Sequence, residues 1–382
     1  MSVGRGKYLF PSEIIMYSPR FTITQNILKN IGAIEAAKAV IDASPLIPLY
    51  EKQFREDARV KTIYFGTRIE GNDLSIEQAK KILAFTDLKA DIAEIGEQTG
   101  IVARERDIQE VINYRQTMDL IDQIGDRDTK TYTETMLKKI HAATINNLVP
   151  PEEAGQYRQV QAVWGDQRTG KVYFRPPPAI EVSYLIKDFL DWLNASTSRE
   201  IHTCLRAAIA HYVLVAIHPF TEANGRSARA FATLILYQED YDIKKLFSLE
   251  EYFDKDIMGY FKALAEVSEQ KGPIEDRDLA SWLEYFTKAL AIELDRVKDK
   301  VKKLSRDSHL KSKLGRQIVL SERQVKLYEF LQENQWLTMG DAAKILSFVS
   351  TDTILRDLRD LLKKGVVKKT GRTKGAKYTL KT

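Results

Sequence analysis

The sequence has a single cysteine, Cys204, among its 382 residues. An intramolecular disulfide and a cysteine-rich metal site are therefore excluded. No apolar stretch reaches the roughly 18 residues that a membrane-spanning helix needs. The first residues also lack the apolar run of a secretory signal. These absences predict a cytoplasmic protein that does not enter a membrane and that packs the Cys204 thiol in its core.

Positive charge is concentrated at the carboxyl end of the chain. From Arg296 onward there are 22 lysines and arginines against 9 acidic residues, a net charge of +13, whereas the rest of the chain carries −8. Such an asymmetry indicates that the carboxyl-terminal segment has a separate partner, and a polyanion is the first candidate.

Apolar residues recur at helical spacing through most of the first 300 positions, which predicts a mainly α-helical body. After Ser75, a helix is expected to begin with a capping box completed by Gln78. A polar turn at 165–170, flanked by valines and by Phe174, predicts a β-hairpin over 160–174. The other predicted helices lie at about 47–69, 108–121, 133–145, 182–194, 250–268 and 278–300.

The richest stretch is 218–229, His-Pro-Phe-Thr-Glu-Ala-Asn-Gly-Arg-Ser-Ala-Arg. The segment 205–217 before it is apolar almost all round, as expected of a buried helix that Pro219 ends. A second helix is expected to begin near Asn224 or Gly225. Because the first N–H groups of a helix attract anions, this polar break predicts a phosphate-binding site.

Side-chain chemistry supports the same site. Arg226 and Arg229 are one helical turn apart and can contact successive phosphates. Glu222 is a hard oxygen ligand of the kind that Mg²⁺ prefers, and His218 could accept a proton from an attacking hydroxyl. His211, isolated on the apolar helix, is expected to be a hydrogen-bonded core residue.

The motif resembles the signature of the Fic family (filamentation induced by cAMP), His-Pro-Phe-x-Asp/Glu-Gly-Asn-Gly-Arg-x-x-Arg, and departs from it at Ala223. The flanking segments 155–158, 160–174 and 192–194 agree with the family, and the resemblance extends over about 60–270. It implies a Fic-type helical core with a β-hairpin flap.

The resemblance implies a protein adenylyltransferase, which moves AMP from ATP to a Ser, Thr or Tyr hydroxyl of a target protein or of itself. His218 would be the general base, and Glu222 would hold Mg²⁺ or Mn²⁺. The hairpin would align the target by adding a strand to it. The implied nucleotide-binding residues are Ala223, Asn224, Gly225, Arg226, Ser227, Arg229 and Tyr260.

Alanine replaces the family's glycine at position 223. A positive φ there would cost about 1 kcal/mol or more. We expect a negative φ at Ala223, with Gly225 supplying the unusual backbone geometry.

Many family members carry an inhibitory helix written Ser/Thr-x-x-x-Glu-Gly/Asn, and the segment 60–72 resembles it. Glu70 and Gly71 fit, but Gly66 occupies the Ser/Thr position and Thr67 lies one place later. Glu70 would pair with Arg229 and inhibit transfer. In some relatives this glutamate also supports AMP removal. The alternative is a helix-end carboxylate without a regulatory role.

The last 66 residues have the order of a winged helix-turn-helix domain, with helices at 322–333, 340–346 and 350–364 and strands at 366–368 and 377–380. Two sets of residues are expected to face a partner: Thr353, Arg356 and Arg359 on the third helix, and Arg372, Lys374 and Lys377 in the wing. DNA binding competes with a role in protein binding or homodimer formation, since Asp357 and Asp360 weaken the surface as a DNA reader.

The sequence therefore predicts four regions: 1–100, amino-terminal and helical; 101–295, the catalytic core; 296–316, a basic linker or helix end; and 317–382, the winged helix. Two rival functions remain open. One is a DNA-binding regulator whose core senses nucleotide, and the other is an enzyme that transfers a different phosphate-containing group.

Overall fold

The computed structural model describes residues 17–44, 46, 48–85, 92–126, 130–166, 171–314, 320–347, 349–371 and 376–381. They form sixteen α-helices and five short β-strands. The chain divides into two compact units, the first within Met1–Ala43 and Lys52–Lys298 and the second within Ser44–Glu51 and Asp299–Thr382.

The mainly helical prediction is confirmed. The first thirteen helices are α1 (Gln25–Ala43), α2 (Pro48–Arg68), α3 (Ile76–Ala84), α4 (Ile92–Thr99), α5 (Glu105–Gly125), α6 (Glu134–Ile145), α7 (Val182–Asn194), α8 (Ser196–Arg199), α9 (Thr203–Ile217), α10 (Asn224–Gln238), α11 (Leu249–Lys255), α12 (Ile257–Ser268) and α13 (Ala280–Leu314). None of the helices within the described ranges is long and apolar enough to cross a membrane.

Helix α9 lies at the centre of the first unit and is buried on all sides, as its apolar composition predicts. Cys204 at its start is a buried free thiol. Helix α10 packs against α9 and α5, and α5 also packs against α6. The start of α10 is thereby fixed between α9 and α5, and the motif residues occupy this position.

Local capping follows the sequence closely. Ser75 and Gln78 form the predicted capping box of α3, and Thr133 caps α6. Helix α2 ends at Arg68, and Gly71 beyond it has φ +91°, a conformation that glycine adopts without steric cost.

One helix predicted from the sequence is divided into two helices in the structure. The segment 250–268 is divided into α11 and α12 by Asp256, which leaves the helical conformation with φ −118° and ψ 46°. The carbonyl oxygen of Asp256 accepts a hydrogen bond from the Tyr285 hydroxyl at 3.3 Å. Asp256 takes the N-cap position of α12, although its side chain accepts no capping bond there.

The predicted hairpin is present but shorter than expected. Strands β1 (Trp164–Asp166) and β2 (Lys171–Phe174) pair antiparallel. Val160 and Val163 lie before β1 and are exposed. The Val160 carbonyl accepts a bond from Arg158 at 3.0 Å. Residues 167–170 of the turn lie outside the described residues.

The second unit contains three further helices and a three-stranded antiparallel sheet of order β3-β5-β4. Its elements are α14 (Glu322–Glu333), β3 (Leu337–Thr338), α15 (Met339–Ile345), α16 (Thr351–Lys363), β4 (Val367–Thr370) and β5 (Lys377–Leu380). The three helices and two longer strands match the prediction. Strand β3 was not predicted, because two residues carry no periodicity.

A small apolar core that includes Leu331, Leu337, Ile354 and Leu358 holds the second unit together. The basic segment 296–316 is helical as far as Leu314, and 315–319 lie outside the described residues. Two residues predicted for the wing, Arg372 and Lys374, also fall outside them.

Candidate active site

The motif loop is closed by its own asparagine. Helix α9 ends at Ile217, and the following residue, His218, takes a left-handed conformation with φ 53°. The Asn224 side chain donates to the Phe220 carbonyl at 2.8 Å and accepts from the Phe220 N–H at 2.9 Å. Helix α10 then begins at Asn224, as predicted. The Asn224 side chain is thus engaged with the loop backbone, which leaves the first N–H groups of α10 directed out of the helix.

Arg158 ties the same loop to the base of the hairpin. Its guanidinium donates to four backbone carbonyls: His218 at 2.8 Å, Val160 at 3.0 Å, Pro177 at 2.6 Å and Ile217 at 3.4 Å. Its backbone N–H donates to the Pro219 carbonyl at 2.9 Å. The sequence reasoning noted Arg158 only as a flanking residue, because an arginine in a loop gives no pattern that predicts carbonyl binding.

His218 is half-buried, and its imidazole is oriented so that it can accept a proton. Its Nδ1 lies 3.3 Å from the Val215 carbonyl, a contact in which Nδ1 carries the hydrogen and Nε2 keeps its lone pair. Burial lowers the pKa of His218 from its ordinary value, although the bond to Val215 opposes the shift. The imidazole is therefore neutral at neutral pH.

His141 of α6 packs against the motif loop, a role that the sequence patterns did not predict. Its ring stacks on Phe220, with ring centres 3.7 Å apart. Its Nδ1 accepts from the Gly155 N–H at 2.9 Å, so Nε2 donates to the Glu222 carbonyl at 3.3 Å. Burial lowers the pKa of His141 to about 4, which keeps this tautomer neutral.

The expectation for Ala223 was wrong. Ala223 has φ 54° and ψ 24°, in the left-handed region, whereas Gly225 lies inside α10 without a positive φ. The chain must turn sharply before the first helical residue, and the position that turns is 223. An L-residue there costs about 1–2 kcal/mol. A β-carbon at position 225 would collide with Oε1 of Glu70 and displace that carboxylate, so Gly225 makes room for Glu70.

The two motif arginines are buried, with side chains 3% and 2% exposed for Arg226 and Arg229. Arg226 lies 3.4 Å from Glu110 of α5. Its Nε and Nη1, the Nε of Arg229 and the Oγ of Ser227 are buried without a hydrogen-bond partner in the described part of the chain. Unsatisfied buried donors are costly, about 1–3 kcal/mol each, so these groups favour an anion.

The Glu70 carboxylate forms an ion pair with Arg229, the contact that the resemblance implies. Nη2 of Arg229 donates to Glu70 Oε1 at 3.0 Å and to the Gly66 carbonyl at 2.9 Å. Burial would raise the pKa of Glu70, but the charges of Arg229 and Arg226 and the bond from Arg229 lower it below its ordinary value. Glu70 is therefore ionised.

The presence of glycine at position 66 is explained by the packing of α2 against α5. A β-carbon there would collide with the ring of Tyr114, so the serine or threonine of the family pattern has no room. The hydroxyl of Tyr114 donates in turn to Glu250 at 3.3 Å.

Helix α5 contributes two charged residues that the sequence reasoning missed. Arg106 pairs with Glu222, and Glu110 pairs with Arg226. The pairs join positions 116 residues apart, which no local pattern could reveal. They line a cleft of about 270 Å³ whose walls are formed by Glu70, Gly71, Arg104, Arg106, Asp107, Glu110, Glu222, Ala223 and Arg226.

Tyr260 is buried beside Arg229. Its hydroxyl lies 3.1 Å from Nε2 of His211 and 3.5 Å from Nη1 of Arg229. His211 is fully buried and stacks on Trp282, with ring centres 4.9 Å apart. His211 is thus the core histidine that the sequence predicts, and the neighbouring Phe261 is 40% exposed.

Residues 131–236 match the model of the Fic/DOC family. The chain is 31% identical over 190 residues to "Protein adenylyltransferase Fic" of Culex quinquefasciatus, covering 50% of this chain and 34% of that protein. It is 30% identical over 183 residues to "Protein adenylyltransferase fic-1" of Caenorhabditis elegans, covering 47% and 32%. The chain thus spans about a third of the length of the curated relatives it matches.

Two solved structures share the fold. A Fic family protein from Desulfovibrio desulfuricans G20 superposes with a TM-score of 0.59 at 22% identity, covering 96% of this chain and 98% of that chain. A fragment of Fic-1 from C. elegans, aa134–508, superposes with a TM-score of 0.55 at 22% identity, covering 74% of each. The predicted Fic-type fold is therefore confirmed.

Proposed function

We propose that this chain is a protein adenylyltransferase acting in the cytoplasm, a function supported by the match of residues 131–236 to the Fic/DOC family model. It moves AMP from ATP to a Ser, Thr or Tyr hydroxyl of a target protein or of itself and releases pyrophosphate. One observation carries the proposal. A neutral histidine, His218, precedes a helix start where buried donors of Arg226, Ser227 and Arg229 have no partner among the described residues.

His218 is the proposed general base. Its Nε2 accepts the proton of the target hydroxyl as the oxygen attacks the α-phosphate, and pyrophosphate leaves. The bonds from Arg158 to the His218 and Pro219 carbonyls fix the backbone that carries the imidazole. Hairpin β1–β2 is the proposed docking edge for the target segment.

The nucleotide is proposed to bind at the start of α10. Backbone N–H groups of Asn224 and Gly225 meet the α-phosphate, with Ala223 shaping the turn before them. Arg226, Ser227 and Arg229 bind the following phosphates, which would satisfy their buried donors. Tyr260 contributes by orienting Arg229, since its hydroxyl already faces that guanidinium.

Glu222 is the proposed ligand of Mg²⁺ or Mn²⁺. Within the described residues no group of three or more His, Cys, Asp and Glu side chains is arranged to hold a metal ion. A single carboxylate beside a phosphate site suits a hard cation that keeps several waters and takes phosphate oxygens. The bound ion would neutralise charge on the phosphates.

Glu70 is the proposed inhibitor. While it holds Arg229, that guanidinium is unavailable to the terminal phosphate. The same carboxylate could orient water for removal of AMP from a modified target.

The test is transfer of label from ATP in Mg²⁺. Wild type, Glu70→Gly and Glu70→Gly/His218→Ala are each incubated with α-labelled and γ-labelled ATP. We expect α-label on protein, at least tenfold more with Glu70→Gly and none with the double variant. Asp73→Gly, which removes an exposed carboxylate just beyond α2, is the matched control and should stay at the wild-type level. Label from γ-labelled ATP alone would establish phosphoryl transfer instead.

A second function is supported by the acidic residues of α16. Asp357 is buried and paired with Arg323 at 2.6 Å, and Asp360 is paired with Lys364 at 2.6 Å. Both carboxylates are therefore neutralised within the second unit, and Arg356 and Arg359 remain exposed. Asp357 and Asp360 therefore weaken the DNA-reading surface less than two unpaired carboxylates would. We propose that this unit is a winged helix that binds DNA.

Binding of the full chain to duplex DNA, titrated with salt, tests this function. Affinity should fall steeply with salt, and Arg356→Ala/Arg359→Ala should lower the slope by about 2. Lys262→Ala, an exposed lysine of α12, is the control. Absence of salt-dependent binding, together with sedimentation as a dimer that the double variant disrupts, would assign the surface to homodimer formation instead.

A further inference from the structure

Two residues of α5, Arg106 and Glu110, contact the motif residues Glu222 and Arg226. Arg106 pairs with Glu222 through Nη2, and its Nε lies 3.3 Å from Oε1 of Glu110. The same Oε1 lies 3.4 Å from Nη2 of Arg226. The other oxygen of Glu110 accepts from Asn72 at 3.0 Å. The result is a row of alternating charge, Glu222–Arg106–Glu110–Arg226.

The outer and inner ends of this row differ in burial. Arg106 and Glu222 are 46% and 42% exposed at the mouth of the cleft. Glu110 and Arg226 are 7% and 3% exposed, and Arg226 keeps two donors without a partner among the described residues. The outer pair, Arg106 and Glu222, can therefore exchange partners with ions from solvent. In the inner pair, Arg226 has donors that can bind a ligand.

We propose that Arg106 and Glu110 are placeholders for the metal–nucleotide, on the premise of the nucleotide site described above. The Arg106 guanidinium takes the place of the cation at Glu222, and the Glu110 carboxylate takes the place of phosphate oxygens at Arg226.

On ligand binding, Glu222 exchanges Arg106 for the cation and Arg226 exchanges Glu110 for phosphate. Arg106 and Glu110, four positions apart on one helix, remain paired with each other. The exchange leaves no charge of the row unpaired in either state, which is important because an unpaired buried charge is strongly destabilising.

The placeholder role predicts a competition that can be measured without catalysis. Arg106→Gln removes the group that competes with the cation for Glu222. Binding is followed with fluorescent mant-ATP. The measured ratio is the dissociation constant of mant-ATP in EDTA divided by its dissociation constant in saturating Mn²⁺. Any direct attraction between Arg106 and the nucleotide affects both constants and largely cancels in the ratio.

All variants are made on Glu70→Gly so that the Glu70 pair does not limit binding. We expect Arg106→Gln to raise the ratio about two- to fivefold, the range of an exposed ion pair. Glu110→Gln should tighten metal-free binding, because it removes the carboxylate that competes with phosphate for Arg226. Arg104→Gln removes the same charge from the same cleft, but Arg104 pairs with Asp73 and Asp107 instead of Glu222. It should leave the ratio unchanged, and thermal unfolding checks that each variant folds.

A ratio that falls in Arg106→Gln, or that changes equally in Arg104→Gln, overturns the proposal. Binding of mant-ATP with the expected ratios but without label transfer would reject adenylylation and leave the placeholder role standing. Absence of mant-ATP binding in every variant would overturn both.

Discussion

Oε1 of Glu70 lies 3.0 Å from Nη2 of Arg229, although the two residues are 159 positions apart. The contact joins the turn after α2 to the second turn of α10. Arg229 also donates to the Gly66 carbonyl on the last turn of α2, so one guanidinium binds both the carboxylate and the helix that presents it.

The Glu70–Arg229 pair should make stability depend on pH in the acid range. The pKa of Glu70 lies below its ordinary value of 4.5, so the stabilisation is complete above about pH 4.5 and is lost as the pH falls through the lowered pKa. Glu70→Gln should lower the free energy of unfolding at pH 7 by about 1–2 kcal/mol. Urea unfolding at several pH values checks this. A difference from wild type that grows as the pH falls would contradict it.

Ala223→Gly should stabilise the protein. Glycine relieves the left-handed strain of about 1–2 kcal/mol, and the greater freedom of glycine in the unfolded chain offsets part of the gain. The expected net gain in free energy of unfolding is about 0.5–1 kcal/mol. Ala228→Gly, in the helical interior of α10, is the matched control and should destabilise. If both changes destabilise, Ala223 is not strained.

Gly66→Ser, which restores the family pattern, should destabilise this chain. Its β-carbon meets the Tyr114 ring, and such overpacking costs about 1–3 kcal/mol. Because α2 carries Glu70, its displacement should also raise label transfer from ATP. Gly32→Ser in α1, where a β-carbon would meet open space, is the control and should change neither quantity much. Unchanged stability of Gly66→Ser would refute the argument.

Arg158→Lys should lower activity through the loop that carries His218. Lysine keeps the charge but cannot reach all four carbonyls that the guanidinium binds together. We expect a loss of about 2–4 kcal/mol in free energy of unfolding. On Glu70→Gly, kcat should fall more than the KM for ATP rises. Arg175→Lys, an exposed position near the hairpin, is the control. Retained kcat would mean that Arg158 does not position His218.

Sequence patterns accounted for most of the helices, because burial of an apolar face repeats every 3.6 residues and caps are local. The spans of α7, α10 and α14 and the capping box of α3 follow from such signals. The chemistry of 218–229 is also local, since one helix start gathers a base, a carboxylate and two guanidinium groups.

The sequence by itself determined the helices and the composition of the motif. The resemblance already implied that Glu70 pairs with Arg229. Only the tertiary structure decided that Arg106 pairs with Glu222 and that Glu110 pairs with Arg226. It also decided that Ala223, instead of Gly225, turns the chain. The physical reason is that ion pairs and backbone dihedrals at this site are set by the packing of α2 and α5 against α10, and residues more than 100 positions apart leave no periodic trace of that packing in the sequence.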